Sequence, residues 1–331
     1  MTIRDTAALR QHARTALENT PVHRRIAYVY TAVMVGLSLA LTLADYVLTE
    51  LISGTGGLGN MGTRTILSTL QSMLPILQTL VLLSWGAGYS IAVLKIARGE
   101  YADADTLKSG FSLFFPLLRM MLLEGAIYFG LCMISFYLSF QIYMFTPWAR
   151  DLMEIMEPML PSILNTAAPV IEEAAMIPMM KAMAPMLLIF AGFYFLLAIP
   201  MGYRLRMRTF CLIDNPRAGA LRAIATSRRI MRRNCFQLFK LDLRLWWFYL
   251  ATFGASVLGY GDVLLSLMGV NLPFHEDVNY FLFYGLYWAA QFAIFYFLLP
   301  KVEVPYALAY DAVCPKEEPP AGVVLGNIFQ M

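Results

Sequence analysis

Three methionines, Met153, Met156 and Met159, recur at helical spacing, interleaved with Asp151, Glu154 and Glu157 at the same spacing. Thioether sulfur is a soft ligand suited to Cu(I), and Met176, Met179, Met180 and Met183 follow a little further on. The same side chain also fills irregular apolar surfaces, and in a chain with 21 methionines that packing role is the simpler reading of the stripe. Carboxylates three apart share a helix face and do acid and base work only where burial separates their pKa values. Here a wet acidic face is the simpler expectation. No catalytic residue is assigned, and no resident metal or other cofactor is expected.

Glu124 stands at the start of a long apolar run, where an ionised carboxylate deeper in hydrocarbon would be costly and functional. Arg119 or Lys108 offers it a structural partner near the interface; the alternative is a role in coupling or substrate contact. Asp242 and Arg244 form a second charged neighbourhood just before another apolar run. Asp45, Glu50, Asp262, His275, Glu276 and Asp277 are dispersed and read as an ordinary rim, since no HExxH or close His/Asp constellation is present. His12 and His23 lie in a polar tail, so a histidine proton relay has no support. Cys132, Cys211, Cys235 and Cys314 are scattered without a CxxC pair, which argues against a disulfide framework or thiolate cluster. The glycine-rich stretch from Gly54 to Gly62 lacks GKS or GKT, so a phosphate loop is not expected.

The elements that must position these residues are membrane helices. The 331 residues are 59% hydrophobic and 14% charged, far from the half apolar, quarter charged balance of soluble domains. Six apolar runs stand out: about 26–44, 65–94, 120–145, 182–203, 245–268 and 280–299. Each is long enough to cross about 30 Å of hydrocarbon as a helix, and none shows the alternation of a barrel strand. The expected fold is therefore all-α and polytopic, with six transmembrane helices and amphipathic interfacial helices. Lys and Arg fall into alternate gaps, 22 of the 25 on one side, which orients both termini to the cytoplasm. No removable signal peptide is read in the first 25 residues.

The domains follow: a cytoplasmic amphipathic tail at 1–25, a membrane domain at 26–313 with an exterior loop at 146–181 and a basic cytoplasmic segment at 204–244, and a cytoplasmic tail at 314–331. In the loop, Pro158, Pro161, Pro169, Pro178 and Pro185 are expected to prevent one long helix. In the basic segment, Asn215 and Pro216 are expected to start a helix as N-cap and N1. Arg217, Arg222, Arg228, Arg229, Arg232 and Arg233 would face anionic lipid of the inner leaflet, opposite Ala220, Leu221, Ile224 and Ile230. Gly88-Tyr89 and Gly202-Tyr203 each close a run and precede such an interfacial segment, the sign of a parallel internal repeat.

Asn215-Pro216, Ala223 to Ser227, Met231, Leu238-Phe239-Lys240-Leu241 and Gly202-Tyr203 give the chain its likeness to a known group. It resembles the bacterial integral membrane family called domain of unknown function 975, over residues 1 to about 313. The chain departs from that pattern at Arg232-Arg233-Asn234 and at Asp242-Leu243-Arg244. The resemblance implies a six-helix protein of the bacterial cytoplasmic membrane and supplies no catalytic residues.

Two functions are carried forward. One is a non-ATPase membrane component supporting transport or export of a small hydrophobic or peptide-like substrate, with Glu124, Asp242 and Arg244 as substrate or coupling residues and another chain supplying any ATP-driven work. The other is a structural or envelope-maintenance protein that organises lipids or protein partners. An enzyme ranks third, because no nucleophile and base pair is identifiable, and no nucleic acid is expected as a partner.

Overall fold

A computed structural model of the chain describes residues 6–54, 61–157, 173–267 and 276–314. These residues are helical and contain no strand. Long apolar runs leave no other way to satisfy backbone N–H and C=O groups away from water. Val22–Gly54, Gly62–Arg98, Ala104–Met144 and Pro178–Asp214 are long and apolar enough to cross a bilayer. Phe281–Phe297 with Leu299–Val313, bent by 43° at their junction, makes a fifth candidate.

The helices divide into two compact units, Met1–Leu118 with Met207–Met331, and Arg119–Arg206. The first unit opens with α1 (Thr6–Asn19), α2 (Val22–Gly54) and α3 (Met61–Arg98). A capping box at Asp103 then starts a 3₁₀ helix, Ala104–Leu113: Thr106 N donates to Asp103 Oδ1 at 3.0 Å and Asp103 N to Thr106 Oγ1 at 3.2 Å. This segment lies directly on α3. A Cβ at Gly88 would stand 1.9 Å from the Leu107 carbonyl oxygen, and one at Gly110 2.1 Å from that of Ser84. Only glycine at both positions lets the two backbones meet.

Next comes α4 (Phe114–Met144), whose body belongs to the second unit with α5 (Pro147–Met156) and α6 (Glu173–Leu205). Buried Tyr143 brings its hydroxyl within 2.9 Å of the carbonyl oxygens of both Trp148 and Ala182, tying the three helices at one end. Phe129, Leu188 and Leu196 are largely exposed, as expected for helices solvated by hydrocarbon. Pro178 and Pro185 lie inside α6, so the helix begins well within the stretch expected to be loop. Neighbouring helices and local adjustment tolerate proline in membrane helices.

The rest of the first unit is α7 (Arg208–Asp214), α8 (Gly219–Met231), α9 (Cys235–Arg244), α10 (Trp246–Gly259), α11 (Gly261–Leu267), α12 (Glu276–Phe297) and α13 (Leu299–Val313). Two local expectations change here. Asn215 makes no side-chain cap bond, and Pro216–Ala218 is a single 3₁₀ turn; α8 starts only at Gly219, whose φ of 78° resets the chain direction. The run at 245–268 is broken at Tyr260 into helices of 14 and 7 residues, each short of the roughly 20 needed to span alone. At the break, a Cβ on Gly261 would overlap the Phe283 ring of α12 at 2.4 Å. The close helix–ring contact is what the glycine permits.

Candidate functional site

Helix α1 buries Thr6, Leu9, Ala13 and Leu17 along one stripe, the period of a helix lying on an apolar surface. That surface includes α13, against which α1 packs. The other flank of α1 turns Arg10, Arg14 and Glu18 into an open cleft of about 1130 Å³. Pro21 separates α1 from α2, and His23 and Arg24 at the start of α2 join the lining. Arg244 at the end of α9 and Lys301 near the start of α13 complete the charged side. Trp247, Tyr296 and Phe297 supply an aromatic wall.

Among the described residues, five cationic side chains thus share the cleft with one carboxylate, Glu18, which accepts from Arg14 Nε at 2.8 Å across an exposed pair. Such a pair neutralises little of the local field. A cationic flank beside an aromatic wall suits a ligand with an anionic end and an apolar body.

Elsewhere in the first unit, a guanidinium gathers three helix ends. Arg98 at the end of α3 donates from Nη1 and Nη2 to the two oxygens of Asp214 on α7, at 2.9 and 2.8 Å. Its Nε and Nη2 donate to Asp311 on α13 at 3.1 and 2.8 Å. Planar forks of this kind are fixed in geometry as well as charge. The Tyr310 hydroxyl donates to Asp214 Oδ2 at 2.8 Å, and its ring stacks on Phe210 with centroids 5.4 Å apart. A second tie joins α13 to α9 and α10: buried Tyr306 donates to Asp242, and its oxygen lies 3.0 Å from the Tyr249 hydroxyl. Tyr30 of α2 and Tyr89 of α3 stack at 4.3 Å.

The residues singled out from sequence separate accordingly. Asp242 is an anchor for Tyr306, whereas Arg244, two positions on, lines the cleft. Glu124 belongs to the second unit, half-buried on α4. Lys108 donates to Asp105 at 2.7 Å. Arg217, Arg222, Arg228, Arg229, Arg232 and Arg233 are all exposed, while α8 buries Ala220, Ala223, Ile224, Ser227 and Met231. Leu221, expected on the apolar side, is exposed beside the arginines.

Met153 is exposed and Met156 half-buried on α5, with Asp151 and Glu154 exposed on the same helix and Glu157 exposed at its C-cap; Met159 lies outside the described residues. His275 and the side chains of Asp262, Glu276 and Asp277 also lie outside them. No group of three or more His, Cys, Asp or Glu suited to a metal ion occurs among the described residues. Arg98, Asp214, Asp311 and the two tyrosines of α13 escaped the sequence reading. The only hint was the helical spacing of Tyr306 and Tyr310, and nothing local links Arg98 to its two carboxylates.

No curated protein and no solved structure matches the chain. A family model described as Protein of unknown function (DUF975) matches residues 9–313, nearly the whole length, and the chain belongs to that family.

Proposed function

We propose that the chain is a non-ATPase component of the bacterial cytoplasmic membrane that supports transport or export of a small hydrophobic or peptide-like substrate bearing an anionic group. The cleft carries this reading. It combines five cations with Trp247, Tyr296 and Phe297, and its volume is ample for a drug-sized ligand. In the six-span reading α10 and α11 are one broken crossing, and α12 is the sixth. Both termini then face the cytoplasm with 22 of the 25 Lys and Arg residues. The packing of α1 on α13 supports a common side for the two ends. Glu124 is the coupling residue in this reading, and energy from ATP would come from a partner chain.

A second reading, a protein that organises lipids or protein partners, has its own support in the exposed arginines of α8. Exposed Leu221 stands among them in sequence, and exposed Phe236, Phe239 and Leu243 follow on α9, a composition that suits the headgroup layer. Each well-placed cation there gains roughly 1 kcal/mol from anionic lipid.

Titration of the purified protein in zwitterionic nanodiscs with a fluorescent anionic amphiphile tests the cleft. The Arg10→Gln/Arg24→Gln/Arg244→Gln variant is expected to bind at least about tenfold more weakly, a loss of roughly 1.4 kcal/mol. Unchanged affinity would remove the cleft from the function. Movement of the same amphiphile across proteoliposomes then separates transport from lipid organisation.

A further inference from the structure

The core of the first unit holds polar atoms that the cleft does not use. Helices α2 and α3 run antiparallel, joined by Gln71 to Thr49 and Gln78 to Ser38, each at 2.9 Å, and by Trp85 Nε1 to the Tyr30 carbonyl at 3.2 Å. On another flank α2 meets α12, also antiparallel. There the Tyr46 and Phe281 rings lie 5.1 Å apart, the Thr42 and Tyr284 hydroxyls 2.5 Å, and the Tyr28 and Phe292 rings 6.0 Å.

Both ladders fix a register. Trp85 opposite Tyr30 sets Ser84 level with Thr31. Tyr284 opposite Thr42 and Phe292 opposite Tyr28 bracket Trp288 and Gln291, which fall level with the stretch of α2 just after Thr31. The buried Thr31 Oγ1, Ser84 Oγ, Trp288 Nε1 and Gln291 Oε1 atoms find no hydrogen-bond partner among the described residues. Thr31 and Ser84 are fully buried, and Gln291 is nearly so.

Helical Ser and Thr ordinarily give the hydroxyl to a carbonyl three or four residues back. Ser90, Ser135, Ser139 and Thr252 do so in this chain, and Thr31 and Ser84 depart from that habit. Polar atoms removed from water without partners are unfavourable, the more so where hydrocarbon surrounds the helices. A buried water makes about three hydrogen bonds to such atoms. Two hydroxyls that donate or accept, one N–H donor and one amide acceptor suit a neutral occupant rather than an ion.

We propose that Thr31, Ser84, Trp288 and Gln291 form a buried hydration site within the membrane-embedded core. It is independent of what the cleft binds.

The full-length protein in nanodiscs tests it in two ways. Thr31→Val and Ser84→Ala keep shape and remove a hydroxyl, so each lowers Tm if an occupant is bonded there. A rise in Tm, from deleting a desolvated and unbonded hydroxyl, overturns the site. X-ray radiolysis with mass spectrometry then identifies the occupant, since radicals form where water is bound. Wild-type Trp288 is expected to oxidise severalfold faster than Trp85, whose indole N–H is satisfied by protein, with exposed Trp246 as the upper reference. Lowered Tm with Trp288 as inert as Trp85 would overturn water as the ligand and point to the hydroxyl or amide of a lipid. The wild-type labelling stands even if a variant fails to fold.

Discussion

Two short helical segments follow two Gly-Tyr dipeptides, yet the fold holds them by different means. The 3₁₀ helix Ala104–Leu113 after Gly88-Tyr89 touches α3 backbone to backbone through Gly88 and Gly110. Helix α8 after Gly202-Tyr203 rests on side chains, burying Ala220, Ala223, Ile224, Ser227 and Met231, and its arginines remain outside. Gly202 itself would bring a Cβ only to 3.3 Å from the flexible Tyr128 hydroxyl. A shared hydropathy outline thus conceals a rigid seam in one half and a side-chain bed in the other.

The sharpest way to break this comparison is to add one methyl group to each glycine. Gly88→Ala forces Cβ into a main-chain carbonyl and is expected to cost about 3 kcal/mol or more, as severe overpacking does. Gly202→Ala is expected to be neutral or stabilising by up to about 1 kcal/mol, because alanine favours helix. Thermal unfolding of both variants in detergent decides it, and equal losses would mean that the two segments are held alike.

The side-chain bed is tested by Met231→Ala against Leu221→Ala. Met231 is fully buried, so its truncation should cost about 2 kcal/mol or more. Leu221 is 70% exposed and should change stability by less than about 0.5 kcal/mol. Similar melting temperatures for the two variants would sink the assigned orientation of α8.

The smallest effect concerns how each segment begins. The Thr106 hydroxyl and amide hold the Asp103 carboxyl below the usual aspartate range. A depressed folded-state pKa adds stability that is present above the unfolded value, about 3.9, and is lost as pH falls through the folded one. Wild type should therefore exceed Asp103→Asn slightly in Tm at neutral pH, with the gap closing below about pH 4. Asn215→Ala should show no such gap, since Asn215 makes no side-chain cap bond. A gap independent of pH would remove the ionised carboxylate as its cause.

The long helices were legible because hydrocarbon imposes one requirement on every residue of a crossing, so α2, α3, α4 and α6 cover the first four predicted runs. Breaks were less legible because they depend on single contacts. Tyr260 interrupts the fifth run where Gly261 meets Phe283, and Gly219 delays α8 by its positive φ. The family was readable from Asn215-Pro216, Met231 and the residues around them, and the matched span agrees. The cleft was only partly so. The basic tail and Arg244 were visible, but their meeting with Lys301 and Tyr296 depends on the bend that follows Phe297.

The contact between α1 and α13 joins the beginning of the chain to residues near its far end. A ribosome releases the first helix long before its seat exists, and synthesis proceeds from the N-terminus at a finite pace. The apolar stripe of Leu9, Ala13 and Leu17 therefore has no seat on α13 until Leu299–Val313 has been made. A chain stopped before Leu299 would carry its arginine-bearing first helix without Pro300, Lys301 and Pro305, and so without one wall of the cleft.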